Sequence, residues 1–152
     1  MKQKIRIKYH TDIDKIGKIA NGDWVDLRAA EDVFIPQGQY RMFSLGVSME
    51  LPEGYEAIVA PRSSTFKNYG IILVNSIGII DNSYCGTNDV WRYLAYCVEG
   101  NTMVNGVHGT LIKKNDRVCQ FRILKNQPEI EFEEVEELDG DDRGGIGSSG
   151  RN

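Results

Sequence analysis

The chain has 152 residues, 41% of them hydrophobic, which suffices for one domain to bury a core without disulfides or a structural metal. Its formal net charge of −4 argues against a general affinity for a nucleic-acid polymer or an anionic membrane, since both select basic surfaces, so any phosphate site must be a local concentration of positive charge. The three cysteines, Cys85, Cys97 and Cys119, are far apart and form no CxxC pair, which argues against a disulfide framework or a zinc site and fits a reducing, cytoplasmic compartment.

Residues 4–9 alternate charged and apolar side chains, the period of a strand, where a signal peptide needs a continuous apolar stretch; no later run reaches membrane-spanning length, and a soluble protein is expected. Alternation returns at residues 47–51 and 128–133, both read as strands. Between the strands lie turn formers such as Pro36-Gln37-Gly38, Pro52-Glu53-Gly54 and Lys114-Asn115-Asp116. One short helix is expected over residues 65–69, with Ser63 or Ser64 capping its first amides and Gly70 ending it. Residues 71–74 and 77–80 are apolar on both faces and flank Asn75-Ser76, the pattern of a buried hairpin at the centre of the molecule. Residues 101–110, with Gly106, Gly109 and two asparagines, read as a surface loop in which His108 is solvated. The last fourteen residues hold five glycines and a single apolar side chain, Ile146, too little to offset the entropy of ordering them. The expected architecture is all-β, a jelly-roll-like sandwich or barrel of short antiparallel strands over residues 1–138 with a flexible glycine-rich arm over 139–152.

Five short blocks stand out in chain order. They are Asp26-Leu27-Arg28-Ala29, Pro61-Arg62-Ser63-Ser64, a longer block from Gly78 to Gly86 that contains Asp81 and Tyr84, Asp116-Arg117-Val118-Cys119-Gln120, and Arg143-Gly144-Gly145-Ile146-Gly147-Ser148-Ser149-Gly150. Each alone is weak, but in this order and spacing they resemble the five motifs of the trimeric dUTPase family. That resemblance implies a Mg²⁺-dependent enzyme that hydrolyses dUTP to dUMP and pyrophosphate. It also implies an obligate homotrimer whose sites take motifs one, two and four from one chain, motif three from a second and the tail from a third.

Splitting a triphosphate between its α and β phosphates requires a water aimed in line at the α-phosphorus, a base for its proton and cations for the charge that moves to pyrophosphate. Asp81 is the candidate base, although an aspartate in a turn also caps its own backbone. The resemblance implies that the Tyr84 ring packs under the deoxyribose and leaves no room for a 2′-hydroxyl, and that Asn75, Gly78 and Ile80 belong to the segment that reads uracil. It assigns Arg62, Ser63, Ser64, Arg117 and Gln120 to the phosphates and their metal-bound water, and Asp26 to the polar network around that water. Arg117 and Gln120 lie three apart, which in a regular strand puts them on opposite faces, so Arg117 is expected in the preceding turn. With no carboxylate or His/Cys cluster in the sequence pattern, the metal is expected to arrive on the substrate, with Asp26 and Gln120 in its outer shell. In the tail, Arg143, Ser148 and Ser149 supply donors and the glycines let the backbone wrap a γ-phosphate.

The chain departs from the family pattern where a tail phenylalanine would cover the uracil, since Ile146 stands there. Ile146 itself, or Trp91, Arg92 or Tyr93 downstream of the third motif, are the candidates for the cover. Trp24-Val25 before the first motif and Thr87-Asn88 after the third are also atypical. Two rivals are a dCTP deaminase of the same fold, which needs a further acid or base at the cytosine amino group, and a nucleotide-dependent regulatory binder whose tail orders on ligand.

Overall fold

The computed structural model describes residues 1–150. Twelve strands and one helix follow one another as β1 (Arg6–Tyr9), β2 (Val25–Arg28), β3 (Val33–Pro36), β4 (Tyr40–Ser44), β5 (Val47–Glu50), β6 (Tyr55–Pro61), α1 (Thr65–Tyr69), β7 (Ile71–Leu73), β8 (Gly78–Ile80), β9 (Arg92–Cys97), β10 (Thr102–Val104), β11 (Val107–Ile112) and β12 (Arg117–Lys125). They form four antiparallel sheets in the orders β1-β5, β10-β11-β3, β2-β12-β6-β8 and β4-β9-β7, so the all-β expectation holds. No helix among the described residues is long and apolar enough to cross a membrane.

Alternation builds the core. In β9, Tyr93, Ala95 and Cys97 point inward and are fully buried while Arg92 faces out. Leu27, Ile35, Leu45, Ile71, Trp91 and Val118 join them, and the Trp91 and Phe121 rings meet edge to face at 5.2 Å. Fully burying each large side chain contributes about 1.5–3 kcal/mol.

The four-stranded sheet is the platform for the site. Its long strand β12 pairs with β2 on one side and β6 on the other, and a bulge between Arg117 and Cys119 skips Val118 against β2. An extra residue inverts the side-chain phase of the bulged strand. Arg117 therefore lies opposite Arg28 and Gln120 opposite Asp26, on one face, although Arg117 is in the strand and not in the turn before it.

Helix α1 forms over the expected residues and ends at Gly70, whose φ of 63° is left-handed. A Cβ there would run into the Glu99 carbonyl, so glycine is required on two counts. The start of α1 differs from expectation, because Ser64 occupies the cap position without a side-chain capping bond. Buried Thr65 does the joining: its hydroxyl accepts the Arg62 N–H at 2.8 Å and donates to the Val118 carbonyl at 2.9 Å.

Three other expectations are corrected. Residues 71–80 form no hairpin, since β7 pairs with β9 and β8 with β6; the Asn75-Ser76 turn passes the chain from one sheet to another. Ser76 takes φ 65° there, and Ile72, Val74, Ile77 and Ile79 are exposed, so the double-sided apolarity serves an outer surface as well as the core. Residues 101–110 contain a tight hairpin, β10 to β11, whose Asn105-Gly106 turn has φ of 49° and 79°. Asn-Gly is the strongest local signal for such a turn. Residues 128–133 form no strand because no second strand pairs with them, and Phe132 is 91% exposed.

Candidate functional site

At the end of β8 the chain turns sharply, with the Tyr84 N–H donating to the Asp81 carbonyl at 3.0 Å. Ser83 grips the Asp81 carboxylate, donating to Oδ1 from its hydroxyl at 2.7 Å and from its amide at 2.8 Å. The hydroxyl first and the amide second stabilise the charged form and hold the Asp81 carboxyl below its ordinary pKa. Oδ1 is thus committed, and the carboxylate is exposed to solvent. Tyr84 donates its phenol to the Val90 carbonyl at 3.1 Å, which pins the ring over the same turn.

Asp81, Ser83 and Tyr84 line an open cleft of about 440 Å³ together with Met42, Ile79, Ile80, Val90, Trp91 and Arg92. That volume lies in the range of small-molecule sites. Of the residues assigned to the base and sugar, Ile80 and Tyr84 line the cleft. Asn75 and Gly78 do not: Asn75 sits in the exposed turn, while a Cβ on Gly78 would lie 3.2 Å from the Val59 Cβ, so Gly78 serves the close approach of β8 to β6.

Two of the candidates for covering the base are corrected. Trp91 and Tyr93 are fully buried in the hydrophobic core, with Trp91 at the cleft's floor, and neither ring is free to swing over a ligand. Strand alternation leaves Arg92 as the member of that trio facing outward into the cleft. Ile146 is wholly exposed in the tail.

The second cluster lies on the face created by the β12 bulge. The Asp26 carboxylate, with only 13% of its side chain exposed, accepts Arg62 Nε at 2.9 Å on Oδ1 and sits 3.4 Å from Arg117 on Oδ2. Arg62 also donates to the Arg117 carbonyl at 3.2 Å. One carboxylate thus holds two guanidinium groups side by side, with a net positive charge left for an anion. Gln120 donates its amide to the Pro61 carbonyl at 3.0 Å, leaving its own oxygen as an acceptor. Ser63 is exposed and Ser64 half-buried beside them, their hydroxyls unused by the helix cap.

The two clusters are far apart within one chain. Register pairs Ile80 with Ala57, which sets Asp81 level with Glu56; Arg62 lies six residues further along β6, about 20 Å at ~3.3 Å per residue. The tail residues Arg143, Ser148 and Ser149 are exposed; Ser148 and Ser149 lie in short turns closed by Ser148 N–H to Gly145 O and Gly150 N–H to Gly147 O, and Arg143 precedes them. Gly144, Gly147 and Gly150 all take left-handed φ. The last two residues of the expected arm, Arg151 and Asn152, lie outside the described ones.

Sequence reasoning missed the grip of Ser83 on Asp81, for which the Asp-x-Ser spacing of a side-chain turn was the available signal. It also missed Met42, which reaches the cleft from β4 and has no local signal at all.

An all-β scaffold with a carboxylate turn over a nucleoside-sized cleft and a separate paired-arginine cluster has the parts of a nucleotide hydrolase. The dUTPase family model matches residues 25–150. The SPbeta prophage-derived deoxyuridine 5'-triphosphate nucleotidohydrolase YosS of Bacillus subtilis is 51% identical over 97% of this chain and 98% of its own length. The deoxyuridine 5'-triphosphate nucleotidohydrolase of Finegoldia magna is 34% identical over 99% of both. Among solved structures, a variant dUTPase of Staphylococcus bacteriophage 80alpha with dUpNHpp superposes with a TM-score of 0.78 at 18% identity, covering 97% of this chain and 99% of that one. A variant dUTPase from phage phi11 of S. aureus, described as coordinating a structural Mg(II) ion, gives 0.74 at 16% identity, covering 90% and 99%. The chain belongs to the dUTPase family.

Proposed function

We infer that this chain is a dUTP pyrophosphatase, hydrolysing dUTP to dUMP and pyrophosphate. The observation that carries the chemistry is the Asp81 carboxylate, gripped on one oxygen by Ser83 beside Tyr84 in a nucleoside-sized cleft. Its other oxygen, Oδ2, accepts the proton of a water attacking the α-phosphorus in line. Tyr84 and Ile80 flank the nucleoside, with Tyr84 excluding a 2′-hydroxyl, and Asn75 and Gly78 shape the backbone that meets the uracil edge. Arg62 and Arg117, oriented by Asp26, neutralise charge on the phosphates with Ser63 and Ser64.

Arg92 is the proposed cover for the uracil face, because of the three residues 91–93 it is the exposed one lining the cleft, where Trp91 is buried in the floor, and a guanidinium stacks on planar rings. Arg143, Ser148 and Ser149 close over the γ-phosphate from the arm, 139–152, with Ile146 as a secondary apolar contact.

The donor set around Asp26 and Gln120 suits a Mg²⁺ that keeps its waters: Asp26 spends its oxygens on two arginines, and the Gln120 oxygen is an acceptor for a metal-bound water. When bound, magnesium on the triphosphate offsets charge along the phosphate chain.

About 20 Å along β6 separates base from arginines in one chain, which a single triphosphate cannot bridge to any catalytic purpose. The reading therefore includes a homotrimer in which Asp81 of one chain meets Arg62 of another. The outer face of the β4-β9-β7 sheet supports it: Tyr40, Tyr96 and Ile72 lie in one cross-strand row, and Met42 and Leu94 with neighbouring Val74 in the next. Tyr40, Met42, Ile72 and Val74 are 45–65% exposed, and Met42 runs into the Asp81 cleft.

A panel of deoxynucleotides with Mg²⁺, read as dUMP, pyrophosphate and ammonia, tests the reaction. Pyrophosphate from dUTP alone is expected; ammonia from dCTP would support the deaminase reading, which needs a second carboxylate that the cleft does not bring to Asp81. Asp81→Asn is expected to bind dUpNHpp while losing about a hundred- to ten-thousandfold in kcat, the scale of a lost general base.

A further inference from the structure

The turn that carries Asp81 is exposed from residue 83 to residue 88, and its bonds are almost all internal. Tyr84 reaches Val90, Gly86 reaches Asp89, and Ser83 reaches Asp81. Among the described residues, the only hydrogen bonds tying residues 81–89 to a distant part of the chain are two donated by Asn82. Its Nδ2 bonds the Pro52 carbonyl and the Tyr55 carbonyl, both at 2.9 Å, and the residue is half-buried.

Those acceptors belong to the tight β5–β6 turn. Pro52 has a fixed φ, Gly54 takes the left-handed φ of 79°, and the Tyr55 N–H closes the turn on the Pro52 carbonyl at 3.2 Å. Asn82 therefore ties an exposed, self-bonded turn to the β5–β6 turn, one residue from the carboxylate. An amide nitrogen is the side-chain group that offers two donors in a plane at this reach; aspartate of the same size offers none, and its oxygens would face two carbonyls.

We propose that Asn82 is a positioning residue for the hydrolysis, setting the backbone of Asp81 so that Oδ2 meets the attacking water, while Ser83 holds Oδ1. This rests on Asp81 being the base. Asn82 touches neither substrate nor the reacting atoms in this role, so its loss acts on the rate through geometry. A displacement of the base of about 1 Å is enough to cost up to a hundredfold.

The test compares Asn82→Ala, Asn82→Asp and Asn82→Gln with the unmodified enzyme for kcat, KM, dUpNHpp affinity and the pH profile. Asn82→Ala and Asn82→Asp are expected to lower kcat on the order of ten- to a hundredfold, with KM and analogue affinity within about threefold and the acid limb of the profile of Asn82→Ala unmoved, because the Ser83 contact survives. Asn82→Gln, which keeps the donors on a longer arm, should recover part of the loss. Should Asn82→Ala be insoluble, Asn82→Asp, equal in volume, carries the test. An unchanged kcat in either folded variant overturns the proposal, as does a parallel fall in kcat and analogue affinity, which marks a structural role. Asp81→Asn run alongside separates the two readings. Full activity there removes the base itself, whereas an inactive Asp81→Asn beside a fully active Asn82→Ala removes only the positioning role.

Discussion

Ser83 and Arg92 show what side chains decide once the backbone is set. The Ser83 hydroxyl favours the charged form of Asp81 over the protonated one, so the folded-state pKa is depressed and Asp81, the proposed base, remains ionised as pH falls below the ordinary carboxylate range. Activity is then lost only when pH drops through that lowered value. Removing the hydroxyl in Ser83→Ala leaves the amide bond in place, and the acid limb of kcat/KM should move to higher pH while the plateau at neutral pH changes little. A limb that stays put or moves to lower pH would contradict the assignment. At the other wall of the cleft, Arg92→Ala should raise KM for dUTP on the order of tenfold with kcat less affected, the pattern for a contact made equally in ground and transition states. Equal kinetics for Arg92→Ala and the unmodified enzyme would return the cover to the tail.

Among the elements, the arm after β12 makes the least use of the monomer. After Asn126, whose N–H bonds the Gly54 carbonyl at 2.9 Å, the described residues of this segment have no hydrogen bonds to the β domain beyond their own short turns, and its apolar side chains are open to water. Such a segment pays its ordering entropy only when a ligand or neighbour supplies contacts. Trypsin cleavage after Arg143 should therefore slow severalfold with saturating dUpNHpp and not with dUMP, which lacks the γ-phosphate. Equal protection by both ligands would separate the arm from the triphosphate. Helix α1 is the opposite case. Its start is knitted to β12 through Thr65, and its end is set by a glycine with no alternative, so Arg62 is delivered to Asp26 from a rigid corner.

Across the whole molecule, the proposed function makes assembly part of the chemistry, because Asp81 and Arg62 of one chain lie about 20 Å apart at ~3.3 Å per residue. Asp81→Asn and Arg62→Ala should each be nearly inactive alone. Unfolded together and refolded as a mixture, they should regain activity at roughly a quarter of the sites, the random-assortment value for a site that takes one residue from each of two chains. If each chain carried a complete site, mixing would restore nothing. Replacing Met42 by Asp on the apolar face should shift the sedimentation profile to monomer and abolish activity together, since that face borders the cleft.

Local chemistry made several features legible in advance. Period-two alternation marked β1 and β5, a left-handed glycine marked the end of α1, and the first, second and fourth blocks marked Asp26, Arg62 and Arg117, which the fold brings together. Asn105-Gly106 carries an equally local signal for the β10–β11 hairpin. Other features depend on which strand lies beside which, and one chain's residue pattern carries no such information. Apolar residues at 71–80 looked alike whether they paired with each other or with β9 and β6. Alternation at 128–133 made a strand only if a second strand was available to pair with it. The bulge that turns Arg117 and Gln120 to one face arises from a mismatch in count between β12 and β2, and the exposure of Arg92 between buried Trp91 and Tyr93 follows from which side of the chain meets the core. By itself the sequence determined the strand-forming segments, the helix stop and the chemical groups available; the tertiary structure alone decided their pairing, phase and separation, because hydrogen-bond registry and burial are properties of neighbours brought together from distant parts of the chain.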